Sequence, residues 1–169
     1  MYFKAISQVT RNLDQIERYL DKAEHLAAAK KFEIDVLLNS RLAPDMGGFI
    51  YQVQSACDYV KAGAAWLSGQ QPPRHEDTEQ TLDEVRARIR KTVAFVQTVV
   101  EEQYLGAEAR KVGVSWSPPG KAIMGDDYLL QVVIPNAYFH IVTAYAILRN
   151  QGVDVGKMDF FGTIDWVDA

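Results

Sequence analysis

Few side chains in this sequence are equipped for chemistry: three histidines, one cysteine and scattered carboxylates. Three imidazoles could in principle hold a catalytic metal ion. Their spacing separates them. His25 lies two residues after Ala23 and two before Ala27, opposite an apolar stripe, and should face solvent. His75 sits in the charged run Arg74-His75-Glu76-Asp77 and reads as a solvated loop residue. Only His140 falls on an apolar line. Asn136 is four residues earlier, one helical turn below on the same side. A histidine and an amide at that spacing can share a ligand, a water or a hydrogen bond. The first two residues of a metal-binding H-x-x-x-H would occupy the same geometry. Two readings follow: a core histidine bonded to a Tyr, Gln or backbone carbonyl, or a contact to a ligand or substrate. Both require a partner, because an unsatisfied buried imidazole costs ~1–3 kcal/mol.

Asp45, Gln52 and Tyr59 are seven apart and flank a second apolar stripe. Gln52 can therefore point between helices towards His140. An amide is a poor ligand for first-row divalent metals beside imidazole or carboxylate. Asp45 is the better donor, but at a helix end its simpler role is capping. Asp58 falls on the outer face. Cys57, at the stripe's edge, reads as a small core residue without the neighbouring cation that a reactive thiolate needs. Arg86, Arg88, Arg90 and Lys91 read as a solvated face, and Tyr138, Phe139 and Tyr145 as packing. There is no Gly-rich phosphate loop, nucleophile elbow or paired-carboxylate motif, which together excludes most well-marked enzyme classes.

The elements that must position these residues are helices. Ile6, Val9, Leu13, Ile16, Leu20, Ala23 and Ala27 step alternately by three and four and predict a helix over 3–30. Met46, Phe49, Val53, Ala56, Val60, Gly63 and Leu67 predict a second over 45–68, with Pro44 in its first turn and small residues allowing a close neighbour. Leu82, Val85, Ile89, Val93, Val96 and Val100 predict a third over 78–103. Its cap is Thr81 with Glu84, or else Asp77 or Thr78. The period changes to two at Val112, Val114 and Trp116, predicting a strand, with a turn at 117–120 and a return strand at 121–124. Asp126 and Asp127 can cap a last helix carrying Leu130, Val133, Ala137, His140, Ala144 and Ile147. Pro135 should kink it. The tail from Val153 holds Phe160, Phe161 and Trp166 and should dock on the bundle or on a partner.

The chain of 169 residues suits one all-α domain over 1–169, a four-helix bundle whose long crossover carries a short β-hairpin. A net charge of -4 argues against nucleic acid and anionic membrane as partners. No segment reads as a membrane span of ~20 apolar residues. One cysteine and no signal-peptide pattern imply a reducing, cytoplasmic setting.

Several stretches resemble one family. They are Arg41-Leu42-Ala43-Pro44-Asp45-Met46, Gln52-Val53-Gln54-Ser55-Ala56-Cys57-Asp58, Pro135-Asn136-Ala137-Tyr138-Phe139-His140, Thr143 to Arg149, and Gly156-Lys157-Met158-Asp159-Phe160. This pattern is similar to a bacterial family of unknown function grouped with the DinB/YfiT-like metalloenzymes. The resemblance implies a DinB-like bundle, often dimeric. It also implies a superfamily metal, nickel or zinc, on three histidines: one on the second helix and two four apart on the last. Those positions fall near Gln52 and on Asn136 and His140, so one histidine of three is kept. Some members of the superfamily transfer groups to small thiols.

The expectation is then a homodimeric bundle with a degenerate site, in which Gln52, Asn136 and His140 line a polar pocket for a small molecule. No cofactor is expected. The alternative is a metal-dependent thiol transferase or hydrolase using zinc or nickel on His140 with Asp45 or Gln52. A further alternative is a non-catalytic interaction protein that dimerises through its tail.

Overall fold

The computed structural model describes residues 1–168. Helix α1 runs Tyr2–Lys30, and all seven residues of its predicted stripe are buried. A short helix α2, Asp35–Leu38, lies in what the sequence marks only as a linker; its Leu37 and Leu38 enter the core. Helix α3 spans Phe49–Leu67 and begins four residues later than predicted. Gly47 and Gly48 interrupt the first turn, and the Phe49 amide donates to the Ser40 carbonyl instead. Pro44 and Asp45 thus lie in a turn ahead of the helix.

Helix α4, Leu82–Gln97, is shorter than predicted at both ends. Among the candidate caps, Thr81 is the one used. Its hydroxyl accepts from the Glu84 amide, and the Glu84 carboxylate accepts from the Thr81 amide. Past Gln97 the chain tightens into a 3-10 turn at Glu101–Tyr104, leaving Val100 exposed rather than buried. Strand β1, Lys111–Val112, pairs antiparallel with β2, Ile123–Met124, in the register Val112 to Ile123. The predicted hairpin is therefore present, with two-residue strands and a wider loop.

Helix α5 is continuous over Gly125–Asn150. Asp126 and Asp127 sit inside its first turn, where carboxylates favour the positive end of the helix dipole. Residues Tyr128–Val133 are π-helical, and α-helix resumes at Ile134–Asn150. The wide turn lies directly ahead of Pro135, where the proline lacks a donor and its ring crowds the preceding carbonyls. It also rotates the register, so Leu130 is exposed while Leu129, Val132 and Val133 are buried.

By length and mean hydropathy (1.3) α5 could cross a membrane, against the expectation that no segment reads as a span. Here its apolar face enters the core through Ala137, Ile141, Ala144, Ile147 and Leu148. Helices α3 and α4 pack together, α5 packs on α3, and α1 lies against α4 and α5. Gly63 makes the α3–α5 contact close: a Cβ there would stand 2.6 Å from a Val133 methyl. The tail docks on α1 through α6, Lys157–Phe161. Lys22 donates to Asp159 at 2.7 Å, and the Asn12 amide donates to the Phe160 carbonyl at 2.8 Å. Trp166 stays exposed.

Candidate functional site

The α3–α5 seam brings Gln52 and His140 together. Both are buried, and His140 Nδ1 lies 2.7 Å from Gln52 Oε1. Gln52 Nε2 donates to the Gly47 carbonyl at 2.8 Å, which turns the amide oxygen towards the ring. That network assigns the proton to Nδ1 and the lone pair to Nε2. Among the described residues Nε2 has no protein hydrogen bond, and it is not sealed from solvent. Burial lowers the His140 pKa from its ordinary value, so the imidazole is neutral at neutral pH.

Aromatic rings clasp this pair. Tyr59 stacks on His140 with centroids 5.8 Å apart and planes 14° off parallel. Tyr51 and Phe139 meet the imidazole edge-on at 6.0 and 5.2 Å. Tyr51 and Phe139 are more than half exposed, so the clasp opens at the surface. Burial, with neighbouring Tyr51 and Asp58, raises the Tyr59 pKa and keeps its phenol protonated. In the sequence Tyr59 is marked only by its heptad spacing from Gln52; Phe139 reads as packing, and no pattern singles out Tyr51.

Asn136 is half-buried one turn from His140, and its Nδ2 donates to the Val132 carbonyl at 2.7 Å, closing on its own helix. Asp45 is exposed ahead of α3 and, among the described residues, makes no hydrogen bond or ion pair. His25 is exposed as expected. His75 is not: it is partly buried, its Nδ1 has no partner, and its pKa is lowered to about 4. Burial is the main cause, with Lys61, Lys91 and Arg88 adding to it.

These residues do not fit the three-ligand metal centre that the resemblance implies. Gln52 has both ends of its amide engaged, Asn136 donates to its own backbone, and only His140 offers an imidazole. Among the described residues, no three His, Cys, Asp or Glu side chains converge on a point that could hold an ion.

Two other expectations change. Arg88 is fully buried rather than solvated. Its guanidinium reaches Asp58 at 2.8 Å, Asp77 at 3.0 Å, Glu79 at 3.2 Å and the Glu76 carbonyl at 2.9 Å, pinning the 70–81 loop to α3 and α4. Asp58, placed on the outer face by its spacing, is the α3 end of this network. Cys57 is buried as expected, and burial pushes its thiol up to about 12, which makes it inert.

A search of curated proteins finds no match. Among solved structures, a DinB family member protein from Shewanella denitrificans is 40% identical, with a TM-score of 0.93 over 99% of this chain and 95% of that one. A family model described as a domain of unknown function, DUF1993, matches residues 1–161. The fold is thus a DinB-like helical bundle with a short hairpin, and the chain belongs to the DUF1993 family.

Proposed function

We propose that this protein binds a small molecule at the α3–α5 seam without a resident metal. One observation carries the reading: a neutral imidazole held by Gln52, with Nε2 unpartnered among the described residues and an aromatic clasp open to solvent. Such a nitrogen accepts a hydrogen bond from a hydroxyl or N–H donor. The rings of Tyr51, Tyr59 and Phe139 pack the apolar part of the same ligand, the usual division of labour in a small-molecule site. Asn136, one turn below, supplies its side-chain oxygen at the rim. The metal-dependent transferase or hydrolase is the weaker alternative, because the donors beside His140 are already engaged.

Phenol, a hydroxyl on a ring, is a direct probe. Titration into the protein, followed by the NMR signal of the His140 ring nitrogens, should shift Nε2 saturably in the wild type. In Gln52→Leu, which frees the ring, the shift should weaken. Stoichiometric zinc or nickel in untagged protein, lost in His140→Ala, would overturn the reading.

Homodimerisation and a cytoplasmic setting belong to the same proposal. The support for the first is the apolar surface left on the tail, with Trp166 84% and Val167 91% exposed. The support for the second is the single cysteine, which is buried and has no second cysteine to pair with. Removing residues from Gly162 onward spares the Lys22–Asp159 and Asn12–Phe160 contacts. Mass in solution then tests whether the tail holds the dimer; an unchanged dimer removes it from the interface.

A further inference from the structure

A cleft of about 320 Å³ lies between α3, the π-helical turn and the hairpin loop. Tyr59, Trp66, Tyr128 and Trp116 line it, and Tyr59 is the residue it shares with the His140 clasp. Tyr59, Ala62 and Trp66 reach it because they step by three and four along one face of α3. Tyr59 already stacks one face on His140 and Tyr128 is almost wholly buried, whereas Trp66 and Trp116 pair with no other ring among the described residues, so the two indoles are the rings left to meet a guest. Its volume is at the low end for ligand sites, where pockets run from ~300 Å³.

The charge in this cleft has one sign. Asp58 is the only ionic residue lining it. Its Oδ1 accepts from Lys61 at 2.6 Å and from Arg88 at 2.8 Å, and those two cations are buried behind it. Oδ2 has no partner among the described residues. Arg88 is shared with Asp77 and Glu79, so three carboxylates face two buried cations. Lys91 meets Glu79 from the exposed side. The network thus fixes the Asp58 carboxylate in place, with one oxygen left over.

We propose that this cleft binds a small organic cation of the alkylammonium class. The two indoles present negative π-clouds, tryptophan being the strongest such ring, and a carboxylate completes the counter-charge. An anion would meet Asp58, and a neutral apolar guest would leave the carboxylate without use. The cleft adjoins the His140 clasp through Tyr59, but His140 itself does not line it.

Choline and its uncharged isostere, with carbon in place of the quaternary nitrogen, discriminate the charge from the shape. The readout is the fluorescence of Trp66 and Trp116 in a Trp166→Phe background. Choline should bind saturably and about tenfold more tightly than the isostere. Asp58→Asn should remove that difference. Trp116→Ala, on an exposed loop residue that folding does not require, should weaken choline by a similar factor. Equal binding of both probes, or no saturable choline response, would overturn the proposal. So would choline binding that Trp116→Ala leaves unchanged.

Discussion

Replacing Gln52 by leucine should weaken the protein by an amount that His140 controls. Gln52 is 2% exposed and His140 8%, so water replaces few of the lost contacts. The substitution removes two hydrogen bonds, at 2.7 and 2.8 Å. The imidazole N–H left unpaired costs ~1–3 kcal/mol, and the Gly47 carbonyl, in a half-buried turn, adds less than ~1. A net loss of about 2–3 kcal/mol follows, or roughly a 5–10 °C fall in Tm for a chain of this size. His140→Phe alone should cost about 1–2 kcal/mol by leaving Gln52 Oε1 unpaired. The double variant, with both polar groups gone, should be more stable than the sum of the singles by ~1–2 kcal/mol. Urea unfolding of the four proteins gives the cycle. If the singles add within ~0.3 kcal/mol, the two side chains do not act as a unit and the reasoning fails.

Other perturbations test the rest of the structure. Arg88→Met should cost ~3 kcal/mol in urea unfolding, because Glu79, its most buried partner, loses its main counter-ion; Glu79→Gln added to it should recover part of that loss. Folding depresses the pKa of His75, so the unfolded chain binds the extra proton between about pH 6.5 and 4. Stability should therefore fall as pH drops through that window, and His75→Gln should flatten the slope; an unchanged slope would clear His75 of the effect. Gly63→Val should destabilise by more than ~1 kcal/mol through overpacking against Val133, measured by thermal unfolding, whereas a smooth surface site would tolerate it.

The helices were legible because burial repeats at intervals of three and four. The stripe of α1 is buried at every predicted position, and the inward direction of His140 follows from the same count. Gln52 was reachable for the same reason, since heptad spacing keeps it beside the α3 stripe. The places where pattern reading failed are those where periodicity changes or is absent. The π-helical turn before Pro135 shifts the register by a fraction of a turn and moves Leu130 out. Gly47-Gly48 delays α3, so Asp45 never becomes a helix cap. Arg88 carried a readable signal, three residues after Val85 and one before Ile89, but its side-chain type hid it. Its partners lie on α3 and the 70–81 loop, and that loop has no repeat from which to place Asp77, Glu79 or His75. The aromatic clasp is not legible in the sequence because Tyr51 and Phe139 are more than half exposed and sit off both stripes.

The protonation pattern of the His140 ring, read by nitrogen NMR on untagged, metal-assayed protein at neutral pH, tests the site most directly. A proton on Nδ1, a free lone pair on Nε2 and less than stoichiometric zinc or nickel is the predicted result. A doubly protonated ring, the opposite tautomer or an Nε2 bound to a stoichiometric ion would contradict it.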